Sequence, residues 1–127
     1  MRAHKNLSSE YITRFVDAYM HGPTFFLVTE LIGSDGSIAD VIQISERNRQ
    51  MLSLEFSCYV LFYVANAIKA LHDKNLIHRN IIPEIFHCNK EGEIKLSDLS
   101  FTLQLVGDSA PAEEFVGSND RASPEQK

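Results

Sequence analysis

Two short stretches of this sequence carry the side chains best suited to chemistry. His78, Arg79 and Asn80 stand directly after the apolar pair Leu76–Ile77, and Asp98 ends a run in which apolar and polar residues alternate. An imidazole such as that of His78 can accept a proton near neutral pH. A carboxylate such as that of Asp98 is a ligand for hard cations, among them Mg²⁺. These residue types point to acid–base chemistry and to one metal-binding position.

Zinc and disulfide chemistry are not indicated. The five histidines and the two cysteines do not fall at the spacings of zinc ligands, so Asp98 with the neighbouring Ser97 is the only credible metal position. Cys58 and Cys88 are too few for a disulfide framework. We therefore expect no disulfides, a reducing compartment and a cytoplasmic location.

Composition describes an ordinary globular chain. The 127 residues suit one domain better than two, and 44% apolar with 23% charged residues argue against disordered, collagen-like and low-complexity proteins. Twelve basic against seventeen acidic residues give a net charge of −5, so no nucleic-acid partner is expected. Because no run reaches about 18 consecutive apolar residues and the N-terminus lacks a signal-peptide core, we also expect no membrane span.

The first elements that must position these residues are two strands. Residues Tyr11 to Met20 alternate loosely in polarity and predict one strand. A turn signal at His21–Thr24 separates it from Phe25 to Ile32, whose aromatic and β-branched residues predict a buried strand. The two runs are close enough to form a hairpin.

Two helices and a second hairpin follow. Ser37 is a candidate cap for a short helix, and Leu54 to His72 predicts a long one, with Asn75 as its left-handed cap. The long helix has an apolar stripe with steps of three and four, made of Phe56, Tyr59, Val60, Tyr63, Val64, Ala67, Ile68 and Leu71. Glu84 to Cys88 and Glu93 to Ser97 predict a hairpin. The order of elements is typical of an α+β protein.

Several stretches together resemble the protein kinase domain. The run ending in His78-Arg79-Asn80 resembles the entry to its catalytic loop, where the pattern is His-Arg-Asp, and Ile94 to Ser100 resembles the strand that leads into Asp-Phe-Gly. Ser123-Pro124-Glu125 resembles Ala-Pro-Glu, and Gly117-Ser118 stands where such kinases often have Gly-Thr. The N-terminal residues together with Asp17 and Tyr19 look most like the p21-activated serine/threonine kinases of the STE20 group.

The resemblance implies an α+β, protein-kinase-like fold over residues 1–127 that is incomplete at both ends. Residues 1–32 would be an N-lobe remnant with the hinge, and residues 33–127 a partial C-lobe that contains the catalytic and activation loops. Thr29 would be the gatekeeper, and Glu30, Leu31 and Ile32 would face the adenine ring. The sequence contains no Gly-rich phosphate loop and no strand with the Val-Ala-Ile-Lys lysine.

The catalytic positions depart from the family pattern. Asn80 replaces the catalytic Asp, and its neutral amide cannot take up a proton near pH 7. Ile82 replaces the lysine that touches the transferred phosphate, and Ile85 replaces the metal-binding Asn. Asp98 is retained as the metal ligand that the resemblance implies, whereas Ser100 replaces the Gly of Asp-Phe-Gly.

The resemblance assigns structural roles to the two residues before Asn80. His78 would be a packed residue of the catalytic loop and not a base. Arg79 would be the partner of the activation-loop phosphate, and Glu114 falls at the phosphorylated position, where a carboxylate partly mimics phosphate. One hypothesis is therefore that Arg79 and Glu114 pair and order the loop, and the alternative is that Glu114 belongs to a solvated acidic pair.

The functional expectation is a pseudokinase-like fragment without efficient phosphotransfer. ATP and Mg²⁺ are the cofactors that the family implies, and neither is expected to bind well here. A protein partner could bind around the long helix, which would give a binding or regulatory role. The alternatives are a partial sequence of an ATP-dependent serine/threonine kinase and a non-functional translated remnant.

Overall fold

A computed structural model describes residues 7–33 and 36–105. The described chain contains three two-stranded antiparallel sheets, two helices and one 3₁₀ turn. In chain order they are β1 (Phe15–His21), β2 (Thr24–Thr29), α1 (Ile38–Arg47), α2 (Leu54–His72), β3 (Leu76–Ile77), the 3₁₀ turn (Pro83–Ile85), β4 (Phe86–Cys88), β5 (Ile94–Leu96) and β6 (Leu103–Gln104).

The predicted first hairpin is confirmed, with two corrections. Strands β1 and β2 pair around Gly22, whose positive φ of 58° suits the turn, and the rings of Tyr19 and Phe26 stack at 5.1 Å. The expectation of a buried second strand was wrong, since Phe25, Phe26 and Leu27 are all exposed. A two-stranded sheet has two faces, and in the described part of the chain neither face of this one is fully covered.

The second correction concerns the segment before β1. The predicted strand from Tyr11 to Met20 divides in two, because residues 11–13 leave the hairpin and lie beside β5. Leu96 donates its N–H to the carbonyl of Tyr11 at 2.9 Å, and Thr13 donates its N–H to the carbonyl of Leu96 at 2.9 Å. Ile12 is consequently among the most buried residues of the protein.

Helix α1 begins as predicted. Ser37 and Asp40 form a reciprocal capping box, in which the Asp40 carboxylate accepts the Ser37 N–H at 2.7 Å and Asp40 N–H donates to Ser37 Oγ at 3.3 Å. The N–H of Ser37 and its hydroxyl both donate to the Asp40 carboxylate at 2.7 Å, and they hold the pKa of Asp40 below its ordinary value.

Helix α2 also has the predicted bounds and carries one side of the core. Ser53 caps its first turn by accepting the N–H of Phe56 at 3.1 Å, and Asn75 takes the expected left-handed conformation with φ of 54°. Of the predicted stripe, Tyr59 is exposed and the others are buried or half-buried. The core cluster contains Leu7, Ile12, Ile38, Ala67, Leu71, Leu76, Ile85, Phe86, Ile94, Leu96 and Leu99.

The second predicted hairpin, β4–β5, is present and anchors α2. The Tyr59 hydroxyl donates to the carbonyl of Gly92 in the hairpin turn at 2.7 Å.

Cys58 and Cys88 are free thiols. Helix α2 is long and apolar enough to cross a membrane by length and composition alone, although it contains no run of about 18 consecutive apolar residues. The same helix contributes Ala67 and Leu71 to the core cluster, as a core helix does.

Candidate active site

Two short strand pairs and the 3₁₀ turn position the candidate site. Strand β3 pairs with β6, so the residues after Ile77 and those before Leu103 are held together. Ser97, which follows β5, donates both its N–H and its hydroxyl to the carbonyl of Ile85, at 2.8 and 2.9 Å. The loop of residues 78–85 and the loop of residues 97–102 are therefore fixed against each other at both ends.

His78 joins these two loops in their middle. Its side chain is buried, and Nε2 donates to the carbonyl of Asp98 at 2.6 Å, while Nδ1 accepts the N–H of Asn80 at 3.3 Å. These partners require a neutral ring protonated on Nε2. Burial lowers the pKa of His78 below its ordinary 6.5, although the carbonyl of Asp98 opposes the shift. This arrangement suits the structural role that the sequence predicts for His78.

Arg79 also connects the loop of residues 78–85 to the loop of residues 97–102. It has a positive φ of 69°, and its Nε donates to the carbonyl of Phe101 at 2.8 Å. A positive φ in a non-glycine residue costs free energy that surrounding contacts must supply. Glu114, Gly117-Ser118 and Ser123-Pro124-Glu125 lie outside the described residues, so the pairing of Arg79 with Glu114 stays a prediction.

The three degenerate positions of the loop occupy different environments. Asn80 is half-buried beside His78. Ile82 is partly buried and packs against the core cluster, whereas Ile85 belongs to that cluster with only 7% of its surface exposed. Where the resembled loop has a metal-binding amide, this protein thus has an apolar side chain that stabilises its own interior.

Asp98 is engaged by its own loop. Its Oδ1 accepts the N–H of Ser100 at 2.8 Å and the hydroxyl of Ser100 at 2.5 Å. The following residue, Leu99, is buried in the core, as expected for an apolar residue at the position of the family's Phe. The one predicted metal ligand therefore already has two donors on one carboxylate oxygen.

These environments do not fit the two-ligand Mg²⁺ site that the resemblance implies. A hard cation requires oxygen ligands, and the side chain of Ile85 supplies none and points into the core cluster. Among the described residues no group of three His, Cys, Asp or Glu side chains is placed to hold a metal ion.

The predicted hinge residues do lie together around one small cavity. Thr29, Glu30, Leu31 and Ile32 line a space of about 160 Å³. The opposite lining is Thr13, Gly33, His87 and Ser97. Because Ser97 stands next to Asp98, the hinge cavity and the catalytic-type loop are neighbours. The sequence did not single out Thr13 or His87, since their partners lie far away along the chain.

Glu30 is fixed by two basic residues. Its Oε1 accepts from Lys95 Nζ at 2.9 Å and from the backbone N–H of Arg14 at 3.0 Å, and Arg14 Nε lies 3.9 Å from Oε2. The Lys95 ammonium, followed by the Arg14 N–H, lowers the pKa of Glu30 below its ordinary 4.5. This ion pair ties the predicted hinge to β5. In the sequence, Lys95 lies between the apolar residues Ile94 and Leu96, which places its side chain on the other face of β5. This alternation was the only sequence feature that could have pointed to the ion pair.

Comparison with known proteins agrees with this arrangement of elements. The model of the protein kinase domain family matches residues 1–126. The serine/threonine-protein kinase PSK2 of Saccharomyces cerevisiae is 31% identical over 93% of the chain, and the serine/threonine-protein kinase pakA of Talaromyces marneffei is 29% identical over 96%. The serine/threonine-protein kinase ste20 of Emericella nidulans is 29% identical, also over 96%.

The chain spans only a small part of these relatives. It covers 10% of the length of PSK2, 17% of pakA and 13% of the Emericella nidulans kinase. The loop carried by His78, the strand pair before Asp98 and the helix that packs beneath them all lie within the matched region. The chain is therefore related to serine/threonine kinases of the STE20 and p21-activated type, and it belongs to the protein kinase domain family.

Proposed function

We propose that this protein is a pseudokinase-like relative of the STE20-type kinases, without efficient phosphotransfer and with a binding or regulatory role. The observation that carries the proposal is the burial of Ile85. At the position of the family's metal-binding amide, this side chain is 7% exposed and part of the hydrophobic core. Phosphoryl transfer depends on positioning and charge neutralisation by metal ions, and this loop lacks one of the two ligands.

The loss of the catalytic carboxylate supports the same proposal. At position 80 an amide replaces the group that would accept a hydrogen bond from a substrate hydroxyl and assist removal of its proton. General-base assistance of this kind is typically worth about 10²–10⁴-fold in rate. Asn80 still occupies the loop beside His78, so it can orient a hydroxyl without taking its proton.

The scaffold around the site favours a binding role. The bond between His78 and the Asp98 carbonyl and the bonds from Ser97 to the Ile85 carbonyl keep the loops in a defined arrangement. A preserved scaffold with altered catalytic positions can still present a surface to a protein partner. A cytoplasmic location is part of the proposal, because Cys58 and Cys88 are free thiols.

One observation favours the alternative of an ATP-dependent serine/threonine kinase. The hinge residues from Thr29 to Ile32 line a cavity next to Ser97, which is where the resemblance places the adenine ring. The retained Asp98 is compatible with the same alternative. A translated remnant without function predicts neither nucleotide binding nor a specific partner.

Thermal unfolding of the full chain with and without ATP and Mg²⁺ tests the proposal. A nucleotide that binds the native state must raise the midpoint temperature, so we expect no shift. A clear rise with ATP and Mg²⁺ would overturn the nucleotide part of the proposal. A phosphotransfer assay of the Asn80→Asp, Ile82→Lys, Ile85→Asn variant should show no gain of activity, because the amide at position 85 would replace a buried side chain of the core cluster.

A further inference from the structure

Strand β4 has a neighbouring segment on each side, and His87 is its central residue. On one side His87 lies directly opposite Lys95 of β5. On the other side it forms an antiparallel bridge with Ser37, and the next residue, Cys88, donates its N–H to the carbonyl of Gly36 at 3.0 Å. Directly opposite residues of antiparallel segments place their side chains on the same face. Ser37, His87 and Lys95 therefore form one row across three segments of the chain.

Each end of this row holds a carboxylate. At one end the Asp40 carboxylate accepts both the N–H and the hydroxyl of Ser37 at 2.7 Å. At the other end Glu30 accepts from Lys95 Nζ at 2.9 Å. The half-buried side chain of His87 stands between these two pairs. Because Asp40 belongs to α1 and Glu30 to the hinge, the row connects the start of the helix with the hinge.

The charged groups around His87 have opposite effects on a proton bound to its ring. Lys95 of β5 disfavours the proton, because like charges directly opposite each other are destabilising. Asp40 of α1 favours it: the bonds from Ser37 and, to a smaller extent, the charge of His87 lower the pKa of Asp40. From the hinge, Glu30 borders the same cavity as His87, and the other described residues that line this cavity are uncharged.

Asp40 also has acidic neighbours. Asp40, Glu46 and Glu84 border one cavity of about 410 Å³ between α1 and the 3₁₀ turn, and the described residues that line it include no basic side chain. Several carboxylates around one space create a negative potential. This potential favours a positive charge on the neighbouring ring of His87.

From these observations we propose that His87 makes a pH-dependent contact between β4 and the start of α1. With a neutral ring, the backbone contacts of β4 with residues 36–37 hold the two elements together. A proton on the ring adds an attraction to the Asp40 carboxylate, which draws the first turn of α1 onto β4. Lys95 opposes the same proton and so limits the contact to lower pH. Since an imidazole ordinarily titrates at about pH 6.5, the contact closes in weak acid.

The contact regulates the hinge cavity. One end of the segment between the hinge and α1 is fixed to β5 by the pair of Glu30 with Lys95, which persists above the ordinary pKa of Glu30 because its pKa is lowered. Closure of the His87 contact fixes the other end, at Ser37. Because His87 and Gly33 both line the hinge cavity, one wall of this cavity becomes more rigid in weak acid.

Hydrogen exchange of the full chain, followed by NMR between pH 8 and pH 5.5, tests the proposal. The reporter is the Cys88 N–H, and the reference is the Ser97 N–H, which donates to the carbonyl of Ile85 at 2.8 Å. The ratio of their protection factors cancels a change in global stability. We expect this ratio to rise about two- to fivefold towards pH 5.5, as one added charge contact allows. Asp40 does not titrate in this range, since its pKa lies below 3.8.

Four variants separate His87 from other groups. His87→Gln should abolish the rise, and Asp40→Asn should lose most of it. Glu46→Gln removes a carboxylate from the same helix and the same cavity, about 9 Å further along the axis, and should keep the rise. Lys95→Gln removes the opposing charge and should move the rise to higher pH. A purely structural role of His87 would not give opposite shifts in Asp40→Asn and Lys95→Gln.

A ratio that stays flat in the wild type would overturn the proposal. So would a rise that persists in His87→Gln, or an equal loss in Asp40→Asn and Glu46→Gln. The wild type alone also decides the point if His87→Gln does not fold. The ring protons of His87 are followed in the same NMR series, and a rise whose midpoint differs from their titration would exclude His87 as its cause.

Discussion

Ser100 donates both its backbone N–H and its hydroxyl to the same oxygen of the Asp98 carboxylate, at 2.8 and 2.5 Å. The hydroxyl bond exists only because Ser replaces the Gly of the family motif. Ser100, which replaces the glycine of the motif, thus donates hydrogen bonds to the carboxylate that would bind a metal ion in the family. Asp98 therefore acts in this structure as the cap of its own loop.

This relationship predicts different outcomes for two small substitutions of Ser100. Ser100→Ala removes the hydroxyl and should lower the free energy of unfolding by about 0.5–1 kcal/mol, because one hydrogen bond to a charged group at an exposed site is lost. Ser100→Thr keeps the hydroxyl and should lie within about 0.5 kcal/mol of the wild type. Urea denaturation measures both, and equal losses in the two variants would contradict the role of the hydroxyl.

Local sequence patterns were sufficient for elements whose partners lie nearby. The apolar period of α2, the cap at Ser37 and the two hairpins could all be predicted, because a helix period, a capping residue or a turn signal contains the necessary information. The pairing of residues 11–13 with β5 could not, since alternation tells which faces a strand has but not which strand lies beside it. Thr13 reaches Leu96 across 83 positions in the sequence.

The site was predicted in parts for the same reason. The positions of His78 and Asp98 followed from motif spacing, and the structure brings them together. The ion pair of Glu30 with Lys95 was missed because the hinge and the strand before Asp98 were matched to the family separately, and 65 positions of sequence lie between the two residues. The burial of Ile85 was also missed. Comparison with the family motif shows only that a metal ligand is absent at this position, and it does not show that the isoleucine side chain packs in the core.

Restoring the family residue at position 85 should therefore harm this protein. Ile85→Asn places an amide in the core cluster and removes apolar burial, so we expect the free energy of unfolding to fall by about 3 kcal/mol. Asn80→Asp at a half-buried position of the same loop is the matched reversion and should change stability by less than about 1 kcal/mol. Chemical denaturation of both variants decides the point. An Ile85→Asn variant as stable as the wild type would show that the site is not part of the core.

The ion pair of Glu30 gives stability that depends on pH. Lys95 and the Arg14 N–H lower the pKa of Glu30 below 4.5, so the unfolded chain binds a proton more readily than the folded one. The stabilisation is complete above that ordinary pKa and is lost as the pH falls through the lower folded pKa. Glu30→Gln should lose about 1 kcal/mol at neutral pH and show a shallower decline between about pH 5 and pH 3.

A matched control for Glu30 exists in the β4–β5 turn. Glu91 is an exposed carboxylate, and Glu91→Gln should keep the wild-type decline in acid. Thermal unfolding at a series of pH values compares the three proteins. Identical acid profiles for Glu30→Gln and the wild type would mean that the pair with Lys95 does not stabilise the fold.

His78 should make the protein less stable in weak acid. Burial lowers its pKa below 6.5, and a group with a depressed folded pKa takes up its proton more readily in the unfolded chain. Stability is therefore full above about pH 6.5 and falls as the pH drops through the folded pKa. The neutral ring is the form that accepts the Asn80 N–H and donates to the Asp98 carbonyl, so protonation also breaks one of these two bonds.

The variant that tests this is His78→Leu. It leaves the Asp98 carbonyl without its donor, so at pH 8 the free energy of unfolding should fall by about 1–3 kcal/mol. The variant should also lose part of the decline that the wild type shows between about pH 7 and pH 5. His72→Gln, at the exposed end of α2, is the control and should keep that decline. Curves for His78→Leu and the wild type that run parallel through this range would show that His78 titrates alike in the folded and unfolded chains.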